Sequence, residues 1–134
     1  MAHPDVNASA AAVLMRSLNP NAIVALEASC AVFVEDWMDS PADRRFYRLE
    51  YRCTLDGLHA VAQCLSNPWN RSDPSAGTSV HTSHIFADGT LCLGAEHTPT
   101  VATSPFDLQT AVARARYWCT GFSVLKETGE FPNL

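Results

Sequence analysis

The stretch from residue 45 to residue 65 alternates apolar and polar side chains on both sides of an Asp56-Gly57 pair. Alternation at every second residue is typical of β-strands with one buried face, and it predicts strands over residues 45–55 and 58–65. An Asp-Gly pair between two such runs favours a hairpin, because its residues tolerate the positive φ angles of a tight turn. The pattern therefore predicts an antiparallel sheet at the centre of the chain. The side chains expected to be buried are Tyr47, Leu49, Tyr51, Cys53, Leu55, Ala60, Ala62 and Cys64.

Residues 23–34 also alternate, with an interruption near residues 27–29, and they predict further strand structure in the same sheet, although residues 25–31 alone are also compatible with a helix. Loops are predicted in three stretches, because these contain proline, glycine and small polar residues in place of a periodic pattern. These loops cover residues 36–43, 66–79 and 94–103.

Helical periodicity occurs near both ends of the chain. At the start, Asp5 is a candidate N-cap, and Asn19-Pro20 would end the helix. Later, Ser104-Pro105 followed by Asp107 predicts a second helix, capped by the serine and ending near Lys126. The two apolar faces would contain Val6, Ala10, Val13, Leu14 and Leu18 in the first helix, and Leu108, Ala111, Val112, Ala115, Trp118, Cys119 and Phe122 in the second. The chain is thus expected to form one α+β domain over residues 1–134: an N-terminal helix, an antiparallel meander, an active-site loop and a C-terminal helix.

The composition excludes several classes of function. An apolar fraction of 47% and a charged fraction of 17% are those of a folded globular protein. A net charge of −5 with scattered basic residues argues against a nucleic-acid-binding protein. The apolar run at residues 8–15 is too short to span a membrane and lacks a basic segment before it, so we expect no signal peptide and no membrane partner. Five cysteines without a CxxC pair favour a reducing, cytoplasmic location.

The segment 81–93 carries the chemistry that most concerns function. It contains His81 and His84, an Asp88-Gly89 turn, and then Cys92 between two leucines. A thiol in this position can be a nucleophile, a metal ligand or a core residue. The turn before it and Gly94 after it place Cys92 near the edge of a sheet. A nearby histidine or turn amides would help to supply the reactive thiolate, and these features favour a nucleophile.

The other interpretations of Cys92 remain open as alternatives. A zinc site would use His81, His84 and Cys92, but it lacks the paired ligands typical of zinc. A cysteine hydrolase would need a histidine and an Asn or Asp oriented around the thiol, and no known signature is present. We expect no metal and no cofactor, since glycine-rich phosphate loops are also absent from the sequence. The remaining cysteines lie in apolar alternation and are expected to be core residues.

One family resemblance rests on these residues. The pattern H-x-x-x-D-G-x-L-C-L over residues 84–93 resembles the active-site segment of ubiquitin-conjugating enzymes, and more closely that of their bacterial relatives. The helix that contains Trp118, followed by residues 129–132, is similar to the C-terminal part of those bacterial proteins. The resemblance covers residues 44–134 in pattern, and it implies the ubiquitin-conjugating-enzyme-like fold.

The resemblance also implies roles for individual residues. Cys92 would form a thioester with the C-terminus of a donor protein. His84 occupies the position of an asparagine that supports the oxyanion, and an imidazole can also donate that hydrogen bond. Gly94 stands where an acidic residue is common in the family. Further accessory candidates are Asp88, His81, Glu96 and His97.

The implied function is acyl transfer in bacterial antiphage defence. In one kind of system, CBASS, such an enzyme conjugates the C-terminus of a cGAS-like nucleotidyltransferase, and in another it transfers a ubiquitin-like modifier. The chain shows no adenylation domain, so an activating enzyme or another source of activated C-terminus is the expected partner. An adaptor of the same fold without catalysis is the alternative function, and a cysteine or zinc hydrolase is a further one.

Overall fold

Four antiparallel strands form a meander in the order β1-β2-β3-β4, and two longer helices complete the described fold. The computed structural model describes residues 6–27, 29–39, 44–69, 83–86, 88–94 and 100–132. The elements are helix α1 (Ala10–Leu18), strands β1 (Ile23–Glu27), β2 (Cys30–Met38), β3 (Phe46–Cys53) and β4 (Ala60–Ser66), and helix α2 (Leu108–Thr128), with 3₁₀ turns at Val6–Ala8 and Val101–Thr103. The α+β class predicted from the sequence is confirmed.

The core lies between one face of the sheet and the two helices. Every second residue of β3 and β4 is buried on this face, as the alternation predicts. The central hairpin is also confirmed: Gly57 has a φ angle of 76°, and the N–H of Thr54 donates to the carbonyl of His59 at 3.0 Å across the turn. The buried side chains of these strands are Tyr47, Leu49, Tyr51, Cys53, Ala60, Ala62 and Cys64.

The first half of the sheet differs from the prediction in its boundaries. The interruption near residues 27–29 falls between β1 and β2, where Ser29 has a φ angle of 69°. Strand β2 then continues to Met38, so the prediction of a loop from residue 36 onward is wrong for its first residues. They stay in the sheet because Met38 pairs with Phe46, the first residue of β3, and Asp36 forms an ion pair of 2.9 Å with Arg48.

Helix α1 begins later than predicted and buries a different face. Its N-cap is Ser9, whose side chain accepts the N–H of Ala12, whereas the predicted cap Asp5 lies outside the described residues. The buried residues are alanines and a methionine, while Val13 is 55% exposed. Small side chains allow close approach to the central hairpin, where the N–H of Ala11 donates to the carbonyl of Leu55 at 3.1 Å.

Helix α2 buries the predicted face, but its cap is corrected. Asp107 is the N-cap and accepts the N–H of Thr110 at 2.8 Å. Ser104 is not the cap, because the helix begins only at Leu108; the Ser104 hydroxyl donates to the carbonyl of Ala60 on β4 and accepts the N–H of Phe106. The helix ends at Thr128, and Gly129 follows in the left-handed conformation with a φ angle of 87°. Among the described residues, no helix combines the length and the apolar character needed to cross a membrane.

A buried carboxylate connects both helices to the sheet. Glu35 on β2 accepts two hydrogen bonds from Arg116 of α2, at 2.7 and 3.2 Å, and one from Asn19 after α1 at 3.1 Å. The hydroxyl of Tyr51 on β3 donates to the same carboxylate. Burial, followed by the neighbouring Glu35, raises the pKa of Tyr51 far above its usual range. The network fixes the position of α2, which carries part of the candidate site.

Candidate functional site

The cysteine segment forms a small hairpin against the outer edge of β4. The N–H of Leu91 donates to the carbonyl of Ala62 on β4 at 2.9 Å, and this bond attaches the hairpin to the sheet. Across the hairpin, the N–H of Cys92 donates to the carbonyl of His84 at 2.8 Å. The predicted turn at Asp88-Gly89 is confirmed, with Gly89 at a φ angle of 92°. The backbones of Cys92 and His84 therefore lie opposite each other, each four residues from Asp88.

Both residues open onto one cavity. It has a volume of about 800 Å³ and lies between the hairpin, helix α2 and the segment that follows the helix. Cys92 is half-buried, while Leu91 and Leu93 on either side of it are buried in the core. The lining residues are His84, Cys92, Leu93, Gly94, Arg114, Tyr117, Trp118, Phe131 and Pro132.

The imidazole of His84 is held by an aromatic contact. Its ring lies against that of Phe131, with centroids 4.3 Å apart and planes at 38°. Phe131 itself lies on Gly121 of α2, where a Cβ atom would come within 3.0 Å of its ring carbons. His84 has a φ angle of 59°, a left-handed conformation that non-glycine residues seldom adopt and that histidine adopts more readily than most. The backbone and the ring contact together place the imidazole in the cavity wall.

A guanidinium group closes another side of the cavity. Nη1 of Arg114 donates to the carbonyl of Leu93, the residue after Cys92, at 2.7 Å. The same guanidinium lies over the ring of Phe106, 5.0 Å from its centroid. Gly94 has a φ angle of 106°, and a Cβ atom there would lie 2.6 Å from Nη1 of Arg114. Glycine at this position is thus required both by the backbone and by the close approach of the arginine.

Trp118 joins the cavity to the core. Its side chain is 2% exposed. Its indole N–H donates at 2.8 Å to the carbonyl of Ser83, the residue directly before His84. Its ring stacks on that of Phe122 with centroids 4.8 Å apart. Tyr117, the neighbouring residue of α2, is 54% exposed and forms the rim. The base of the cavity is therefore fixed by core packing, while its rim is open to solvent.

The environment of Cys92 differs from that of the core cysteines. Desolvation raises the pKa of Cys53 and of Cys64 to about 12. Burial likewise raises the pKa of Cys119 well above its usual range. These three core cysteines are held as neutral thiols at physiological pH. Cys30 on β2 is half-buried, as is Cys92, but it does not line the cavity.

The other predicted site residues lie elsewhere. Asp88 is exposed at the tip of the hairpin, where its carboxylate accepts the backbone N–H of Thr90 at 2.9 Å and the hydroxyl of the same residue at 2.5 Å. It does not line the cavity. The accessory candidates His81, Glu96 and His97 lie outside the described residues. Within the described ranges, no group of three His, Cys, Asp or Glu side chains is arranged to hold a metal ion.

Sequence reasoning did not identify the part of the site that helix α2 contributes. Tyr117 and Trp118 both lie three or four residues from Arg114 and from Gly121, which places the four residues on one side of the helix. That spacing was a usable signal for a shared face. The partner of this helix face depends on the angle at which the helix crosses the sheet. No local sequence pattern determines that angle.

Comparison with family models, with curated proteins and with solved structures found no match for this chain. What the site can do chemically therefore rests on its own groups. These are a half-buried thiol, an imidazole that lines the same cavity, and a guanidinium on the adjoining carbonyl.

Proposed function

We propose that this protein is a ubiquitin-conjugating-enzyme-like acyl carrier that forms a thioester through Cys92 and acts in bacterial antiphage defence. The observation that carries the proposal is the placement of Cys92 and His84 on the two arms of one hairpin, in the wall of one cavity. The order of elements also supports it, since helix, four-stranded meander, cysteine segment and C-terminal helix is the order that the resemblance implies. We propose the ubiquitin-conjugating-enzyme-like fold on the same grounds.

The reaction has two transfers. In the first, the Cys92 thiolate attacks the carbonyl carbon of an activated donor C-terminus, the C–S bond forms, and the leaving group departs with its electron pair. In the second, an acceptor nucleophile attacks the thioester, loses its proton, and releases the Cys92 thiolate. Each transfer passes through a tetrahedral oxyanion, and His84 would stabilise it by donating a hydrogen bond. The activated donor would come from a partner enzyme, with a cGAS-like nucleotidyltransferase or a ubiquitin-like modifier as the donor chain.

A chemical thioester tests the carrier step without knowledge of the partner. Purified protein is mixed with a peptide thioester of 2-mercaptoethanesulfonate, and the intact mass is measured with and without added thiol. We expect one thiol-reversible acyl adduct on wild-type protein and none on Cys92→Ser. Cys30→Ser is the matched control, because Cys30 is the other half-buried cysteine. An adduct that persists in Cys92→Ser contradicts the proposal.

The role of His84 is tested by two substitutions. His84→Phe keeps an aromatic ring against Phe131 but removes the donor, and we expect transfer to slow roughly 100-fold, the usual effect of losing one oxyanion donor. His84→Asn keeps a donor and should retain much of the rate. Equal rates for wild type and His84→Phe would remove the oxyanion role. A Cys92 that iodoacetamide modifies but no thioester acylates would favour the non-catalytic adaptor.

A further inference from the structure

We infer that Arg114 is a receptor for an acidic side chain of the donor polypeptide, close to the acyl group that Cys92 carries. The inference rests on the proposed function and adds to it the class of donor: a chain with an aspartate or glutamate shortly before its C-terminus. Three features of the site carry it: the way the arginine is held, the character of the cavity, and the contact of the arginine with the residue after Cys92.

The guanidinium of Arg114 is fixed before any ligand binds. One N–H is used on the Leu93 carbonyl at 2.7 Å, and the group lies over the Phe106 ring at 5.0 Å. Gly94 leaves the space that the guanidinium occupies. A planar guanidinium carries further N–H donors arranged to match a carboxylate. Because its position is set by the protein, little conformational freedom is lost when a carboxylate binds.

The charge of Arg114 is directed outward rather than used within the fold. Four other arginines each form an ion pair with a carboxylate of this chain: Arg45, Arg48, Arg52 and Arg116. Arg114 has no such carboxylate among the described residues, although the protein has a net charge of −5. The described lining of the cavity likewise contains a guanidinium, a histidine and aromatic rings but no acidic side chain. Such a cavity favours an anionic chain over a cationic one.

Arg114 contacts the hairpin at the residue directly after Cys92, and we therefore expect it to bind the donor chain rather than the acceptor. Its guanidinium binds the residue directly after Cys92, and neighbouring Cα atoms are about 3.8 Å apart. An extended chain advances about 3.3–3.6 Å per residue, so a donor attached to Sγ brings its second or third residue from the end near the arginine. The rim residue Tyr117, three positions after Arg114 on α2, adds a hydroxyl that can also donate to a carboxylate.

The test uses peptide thioesters of 2-mercaptoethanesulfonate that end in glycine and differ at the two preceding positions, with glutamate, glutamine or lysine. Transfer of the acyl group to Cys92 is followed by intact mass, and each reaction releases one equivalent of the small thiol. We expect the glutamate donors to react about tenfold faster than the glutamine donors and faster still than the lysine donors, a preference that added salt should reduce.

Substitutions assign the preference to Arg114. Arg114→Gln should react with all donors at similar rates, and Arg114→Lys should keep part of the preference because it keeps the charge. Arg16→Gln, an equal change of charge on the exposed side of α1, should behave as wild type. Circular dichroism confirms that each variant is folded before its rates are compared.

The outcomes separate the inference from the proposed function. Equal rates for the three donors on wild-type protein, or a uniform slowing in Arg114→Gln with the preference unchanged, would show that Arg114 only supports the Leu93 carbonyl, and the inference fails while the carrier function stands. Equal rates for the three donors, with acidic amine acceptors discharging the thioester faster than basic ones, would move the anion to the acceptor and overturn the donor assignment. Absence of transfer from every donor, with Cys92 still open to iodoacetamide, overturns the proposed function and the inference together.

Discussion

Replacing Glu35 with methionine should destabilise the protein more than any surface substitution, because it leaves Arg116 in the interior without its counterion. The Glu35 side chain is 0% exposed and that of Arg116 is 19% exposed. Glu35 also accepts hydrogen bonds from Asn19 and Tyr51, so one substitution leaves several donors without their acceptor. The affected residues lie on both helices and two strands, and the whole core is expected to respond.

The expected loss of stability can be estimated from how deeply the two charged groups are buried. Removing one partner of a buried ion pair costs about 3–5 kcal/mol, and the partial exposure of Arg116 allows water to recover some of this, which gives roughly 3 kcal/mol. The Tyr51 hydroxyl loses its acceptor and adds about 1 kcal/mol. A domain of this size is stable by about 5–15 kcal/mol, so a loss of roughly 4 kcal/mol is a large part of the total. The expected fall in Tm is on the order of 10 °C.

The assay is urea unfolding of four proteins: wild type, Glu35→Met, Arg116→Met and the double variant. The double variant removes both charges, so we expect it to be more stable than the sum of the single losses predicts, by roughly 2 kcal/mol. Arg48→Met is the control, since Arg48 is paired with Asp36 on the surface and should cost about 1 kcal/mol or less. Single losses that add up in the double variant would refute the reasoning, because they would show that the two charges do not depend on each other.

Other parts of the structure make separate predictions. Iodoacetamide at neutral pH should label Cys92 before any of the three core cysteines, because burial raises the pKa of those thiols, and peptide mapping that finds them labelled equally fast would contradict this. Gly121→Ala should displace Phe131 from α2 and slow acyl transfer to Cys92 about tenfold, even though alanine favours the helix by about 1 kcal/mol; an unchanged rate would show that Phe131 does not orient the imidazole. Asp107→Ala should cost about 1 kcal/mol through loss of the N-cap. Hydrogen bonds from Thr110 lower the pKa of Asp107. The stability difference between wild type and Asp107→Ala should therefore be full above pH about 3.9 and disappear as the pH falls through the lowered folded-state pKa. Thermal unfolding at several pH values measures this difference.

The sheet was predictable because its signals are local. Alternation fixes which side of a strand is buried, and the Asp56-Gly57 pair fixes where the strands reverse. Helix ends were less predictable, since several residues near each end could serve as caps. Ser104 is a residue type that often caps helices, but its hydroxyl donates to the Ala60 carbonyl of β4 and the helix begins only after Asp107, which is the cap. Contacts with a distant strand decide such cases, and a local pattern does not contain them.

The candidate site was predictable to a similar degree. A two-residue turn at Asp88-Gly89 would place Ile85 opposite Cys92, whereas Ile85 pairs with Leu91, and His84 therefore lies opposite Cys92. The contact between His84 and Phe131 joins residues far apart in the chain, and it depends on Gly121 leaving room on the surface of α2. No spacing rule connects these positions. The turn was therefore predictable from its residues, whereas the register of the hairpin and the cavity required the three-dimensional structure.

Helix α2 supplies both core and cavity, and this sharing explains how the site can be rigid at its base and selective at its rim. Trp118 belongs to both: its ring packs in the core, while its N–H holds the backbone at Ser83, next to the candidate oxyanion donor. Movement of the hairpin would break that bond inside the core, so the thiol and the imidazole keep their places. Arg114 and Tyr117 lie on the exposed side of the same helix, where substitution costs little stability. A fixed thiol beside exchangeable rim residues would suit the proposed carrier, in which the chemistry stays constant and the rim selects the donor.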